Sequence, residues 1–96
     1  MTAANTFDPG FRLAVLCKAI GNPARMAIVR HLIARRTGCS CGDIVSQLPL
    51  SQSTVSQHLK VLRVAGWIRG PMPAEHPGYS IDPATLDEFR RLAAVL

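Results

Sequence analysis

Between Ser51 and Gly66 the chain places amides, hydroxyls and cations at a spacing that suits reading DNA. At about 100° per residue, Gln52, Ser53, Ser56, Gln57, Lys60 and Arg63 share one arc of roughly 140°. Val55, Leu59, Leu62 and Ala65 collect on the other side. One face is built to join a core, and the other carries short hydrogen-bonding groups first and cations later, with no acid. Amides and hydroxyls at a helix N-terminus can meet base edges in the major groove, and cations further along can meet phosphate. An ordinary solvated helix would instead carry Glu and Lys pairs four residues apart.

A second chemical feature is the triplet Cys39-Ser40-Cys41, with Cys17 earlier in the chain. Two thiols separated by one residue can share a soft ion. A helix N-terminus at Ser40 or Cys41 would favour the thiolate form. Buried packing is the ordinary alternative for a cysteine, Cys17 on its apolar helix above all.

The elements that hold these residues are legible from their punctuation. Asp8-Pro9, Asn22-Pro23 and Asp82-Pro83 each read as a cap followed by proline at the first helical position. They predict helices over about 9–20, 23–36 and 83–95. The first carries Phe11, Leu13, Val15, Leu16 and Cys17. The second buries Met26, Ile28, Val29, Leu32 and Ile33 and exposes Arg25, Arg30, Arg35 and Arg36. The third helix, Gly42 to Leu48, turns Ile44, Val45 and Leu48 inward and is stopped by Pro49. Ser51 caps the polar-faced helix that follows, so the pair forms a helix-turn-helix. Trp67–Gly70 and Tyr79–Ile81 read as two short strands around a proline-rich loop. The order α-α-α-α-β-β-α is a winged helix-turn-helix, mainly α with a small β-wing. It occupies residues 8–96, after a flexible tail over 1–7.

Charge agrees with a polyanionic partner. Lys and Arg number 11 against 6 Asp and Glu, for a net charge of +5. From Pro9 to Ala74 the sole acid is Asp43, against nine Lys and Arg. The apolar runs are too short for a membrane span, and the first residues lack the pattern of a signal peptide. The expectation is a cytoplasmic protein with reduced thiols. A paired acid and base, a phosphate-cradling glycine loop and an activated nucleophile are all missing, so an enzyme is not expected. The first and last helices carry more apolar surface than one small domain covers. That predicts a homodimer formed through those helices, with its reading helices roughly 34 Å apart on a palindromic operator of double-stranded DNA.

Three strings carry a family resemblance: Gly21-Asn-Pro-Ala-Arg25, Gly42-Asp43-Ile44, and Leu50-Ser-Gln-Ser-Thr-Val-Ser-Gln-His-Leu-Lys-Val-Leu62 with Ala65-Gly66. With them the chain resembles the ArsR/SmtB family of metal- and metalloid-responsive bacterial repressors. The resemblance implies a homodimer that represses its own operon and releases DNA when a ligand binds. It implies that Gln52, Ser53, Ser56 and Gln57 face the bases, while the wing near Arg69 lies along the backbone. Arsenic- and cadmium-responsive members are similar in carrying a Cys-x-Cys near the start of the third helix. Here the pair falls one residue out of register and Val45 stands at the third cysteine position, which brings Cys17 forward as the third sulfur. Three thiolates suit arsenic(III) or antimony(III), with cadmium or lead as the nearest alternatives, better than tetrahedral zinc. The last helix has no histidine for the family's other zinc site. A thiol redox or reactive-sulfur sensor of the same fold stays open, as does a module with structural cysteines. His58 falls on the inward side of its helix and reads as a packing residue, His31 as surface, and His76 as wing tip.

Overall fold

The computed structural model describes residues 8–71 and 78–96. Helix α1 spans Pro9–Ile20, α2 Pro23–Ala34, α3 Cys41–Ser46, α4 Gln52–Ala65 and α5 Pro83–Ala94. Strands β1 (Ile68–Arg69) and β2 (Ser80–Ile81) pair antiparallel, with Ile68 opposite Ile81 and Arg69 opposite Ser80. This is the winged helix-turn-helix expected from the sequence. The tail over 1–7 and the wing tip with His76 lie outside the described residues.

Every helix starts where a side chain can accept from its orphan N–H groups. Asp8, Asn22, Ser40, Ser51 and Asp82 are the caps, and each accepts from an amide two or three residues on. Ile28, Leu32, Ile44, Val55, Leu59, Leu62 and Trp67 form the centre of the core with Leu16. Trp67 is the hinge pin between reading helix and wing. Its indole N–H donates to the Leu16 carbonyl at 3.0 Å, and its ring meets Phe89 with centroids 5.1 Å apart. Gly66 ends α4 in the left-handed region, at φ 96°, and turns the chain into β1.

Three helices are shorter than expected, the last by one residue, ending at Ala94. The second stops at Ala34 rather than Arg36, because Gly38 N–H turns back to the Arg35 carbonyl and Cys39 is drawn into a bridge with Tyr79. The third starts at Cys41 and ends at Ser46. The burial on α2 also differs. Arg25 turns inward, with Nε donating to the Ala19 carbonyl at 2.6 Å, while Met26 is exposed. The cause is the C-terminal end of α1, whose unpaired carbonyl attracts a guanidinium.

Candidate nucleic-acid interface

The reading helix is positioned by its apolar side. Val55, Leu59 and Leu62 are fully buried, and Leu48 and Leu50 pack against the same core from the turn. Ser51 Oγ accepts from Thr54 N–H at 3.2 Å and also donates to Thr54 Oγ1 at 2.9 Å, which fixes the first turn. With that side pinned, Gln52, Ser53, Ser56, Gln57, Lys60 and Arg63 are all exposed on one face. The arc expected from spacing alone is therefore a single surface. No acid lies on this helix. The amides and hydroxyls stand at its N-terminal half and the cations at its C-terminal half, as base and phosphate contacts require.

His58 stays out of this face. It is half-buried, and its Nδ1 accepts from the Arg25 guanidinium at 3.3 Å, since arginine can only donate. Arg25 thus ties α1, α2 and the reading helix together. Sequence reasoning missed it, because its partner is the end of another helix. Arg12 plays a similar part, donating to Glu88 on α5 at 3.0 Å and to the Ala65 carbonyl at 3.3 Å.

At the wing, Arg69 is exposed and pairs with Asp82 at 3.4 Å. The Asp82 amide donates to the Trp67 carbonyl at 2.9 Å, so the wing base is fixed to the core by both ends. His31 is half-buried between α2 and α3 rather than on the open surface.

The three cysteines have three different surroundings. Cys39 is 1 % exposed and exchanges two 2.8 Å backbone hydrogen bonds with Tyr79 beside the wing. Burial pushes its thiol above the ordinary range; Arg35 opposes this and Asp43 adds to it. Cys41 is half-buried at the start of α3, and its Sγ lies 4.0 Å from Ser56 Oγ on the reading helix. Cys17 is exposed on α1, not packed in the core. Among the described residues no three Cys, His, Asp or Glu side chains converge as a metal site. One chain therefore does not bring Cys17 to the Cys39–Cys41 pair.

Known proteins share this fold and sequence pattern. A helix-turn-helix domain family model matches residues 20–70, more than half of the chain. HlyU of Vibrio cholerae superposes with a TM-score of 0.73 at 28% identity, over 94% of both chains. A structure described as a possible transcriptional regulator for arsenical resistance superposes with a TM-score of 0.70, also at 28% identity, over 84% of this chain and 81% of that one. The chain belongs to the ArsR-like helix-turn-helix transcriptional regulators. In sequence, the regulator is 34% identical over 58 residues to MJ1325, an HTH-type transcriptional regulator of Methanocaldococcus jannaschii. That match covers 60% of this chain and 64% of the relative. It is 36% identical over 70 residues to the transcriptional activator HlyU, covering 73% of this chain and 63% of that protein. The chain thus spans less than two thirds of the length of these curated relatives. By their printed names these relatives are transcriptional regulators. No helix among the described residues is long and apolar enough to cross a membrane.

Proposed function

We propose that the regulator is a homodimeric repressor of a palindromic operator and that it gives up this DNA when arsenic(III) or antimony(III) binds its cysteine thiolates. The observation that carries this reading is the place of the Cys39–Cys41 pair. Cys41 faces Ser56 on the reading helix, and the Cys39 backbone is bonded to the wing strand segment at Tyr79. A ligand that gathers the two sulfurs pulls on both DNA-contacting parts at once.

The cost of that gathering supplies the switch. Cys39 is buried and burial pushes its thiol up, so a ligand that takes its sulfur must draw it outward, against its bridge to Tyr79. The DNA-competent shape is the one with Cys39 buried, and the ligand acts through its preference for the other shape. Coupling of this kind commonly amounts to about 1–3 kcal/mol. We assign the third thiolate to Cys17 of the second copy, because Cys17 is exposed on the helix that a dimer would cover. The neighbour described as a possible regulator for arsenical resistance supports the choice of metalloid.

Fluorescence anisotropy of the reduced protein on its own upstream DNA tests the reading. Arsenite should release the DNA near one equivalent per chain, while Cys39→Ser and Cys41→Ser variants should bind DNA and stay bound. Release that persists in both variants, or wild-type binding that arsenite leaves unmoved, would overturn it. Release by cadmium alone would transfer the switch to a softer divalent ion, and release by peroxide without metal would transfer it to thiol oxidation.

A further inference from the structure

Among the described residues, large apolar side chains are exposed in two places beyond Met26. One is the chain end, with Val95 and Leu96, which a second copy would cover. The other is on the reading helix itself, where Val61 is 42% and Val64 is 77% exposed. β-Branched residues weaken an exposed helix slightly, and these two contribute little to the core. They form one wall of an open cleft of ≈ 570 Å³ between α1 and α4, with Val15 and Ala19 on the other wall.

The rim of this cleft is cationic. Lys18, Arg25 and Lys60 line it, and it has no acidic lining residue. Arg25 is held in place by the Ala19 carbonyl and His58. Neither Lys18 nor Lys60 has a carboxylate partner among the described residues. An apolar trough of this size, with a few fixed charges of one sign, fits a small amphipathic ligand of the opposite sign. It shares no lining residue with the apolar cleft at the chain end. The apolar cleft at the chain end uses Leu13, Leu92 and Val95, and Leu13 and Val15 fall on roughly opposite sides of α1 at about 100° per residue.

We propose that the α1–α4 cleft binds an amphipathic organic anion of the medium-chain carboxylate class, and that its occupancy weakens DNA binding by engaging Lys60. The chain lies along Val15, Val61 and Val64, and the headgroup is taken by Lys18, Arg25 and Lys60. Lys60 belongs to the DNA-facing arc as well, so a carboxylate there competes with phosphate. This second half rests on the DNA-binding reading, whereas the anion site itself does not.

Calorimetry with dodecanoate below its micellar concentration, on DNA-free protein, tests the site directly. Saturable binding of one anion per chain is expected, with clear weakening in Lys18→Gln and loss in the double variant Val61→Asn, Val64→Asn. Circular dichroism confirms that each variant is folded. The neutral alcohol of the same chain length should bind much more weakly. Absence of saturable binding at millimolar dodecanoate, equal binding of the alcohol, or binding that survives the double variant would each overturn the proposal. On DNA, dodecanoate should raise the apparent Kd of the wild type about tenfold and leave the double variant's Kd unchanged. Anion binding without that shift would refute the competition through Lys60 while leaving the DNA-binding reading intact.

Discussion

Cys39 is the side chain whose chemistry differs most from its appearance in the sequence. As half of a Cys-x-Cys pair it reads as a ready thiolate, yet it lies in the core with its thiol held above the ordinary range, chiefly by burial. A raised folded value means that the folded protein holds the proton more tightly than the unfolded chain. That stabilisation is fully present below the ordinary thiol pKa and is lost as pH rises through the folded value. Denaturant unfolding should therefore show stability falling between neutral and strongly alkaline pH, with part of the fall removed in Cys39→Ala. Alkylation by iodoacetamide followed by mass spectrometry should label Cys41 well before Cys39, and equal rates for the two would contradict the burial of Cys39. On the reading helix, Gln57→Ala should cost about 1–3 kcal/mol on the operator and relax discrimination at one base position. Lys60→Ala should weaken binding to all sequences alike and lower the salt slope by about 1. The polar arc was legible because it is a local property of spacing and side-chain type. The Arg25 anchor and the burial of Cys39 were not, since Arg25 meets the end of another helix and the distant His58, and Cys39 pairs with the distant Tyr79 backbone.

The helix starts were the easiest elements to place, because a cap and its proline are neighbours and their geometry is local. Helix ends were harder. The second helix stops before Arg35 because the loop beyond it is committed to the wing, and no residue near Arg35 signals that. The reading helix depends on both of its ends. Ser51→Ala removes the oxygen that accepts from Thr54 N–H and should cost about 1 kcal/mol, read as a lower Tm. At the other end Gly66 sits at φ 96°, and an added Cβ would lie 3.4 Å from the Arg12 guanidinium. Gly66→Ala should therefore cost about 1–2 kcal/mol from backbone strain alone. A neutral outcome by thermal denaturation would mean that the turn into the wing relaxes.

On the scale of the whole molecule, the exposed apolar chain end and the one-sided charge suggest two copies on one duplex. Val95 is 80% and Leu96 is 98% exposed beside a cleft formed with Leu13 and Leu92. Burying such a surface against itself is the expected role of a two-fold axis. Sedimentation should show a dimer at micromolar concentration. Leu92→Glu should shift it to monomer and reduce binding to the palindrome far more than binding to a half-site. A folded monomeric wild type would remove the dimer from the account. The excess of apolar surface on α1 and α5 was legible, whereas their packing against each other within one chain and the cleft beside Val61 and Val64 were not, because each joins helices separate in sequence.

We propose that the exposed face of Gln52, Ser53, Ser56 and Gln57 reads a DNA sequence, with Lys60, Arg63 and Arg69 holding the backbone. Its most direct test is anisotropy with the protein's own upstream palindrome, competed by a scrambled duplex of equal length at physiological salt. The account predicts that the palindrome binds at least about 10³-fold more tightly, and that alanine at Gln52 and Gln57 removes most of this preference while leaving salt-dependent binding to both duplexes. Equal affinity for the two duplexes in the wild type, or a preference that survives both substitutions, would contradict it.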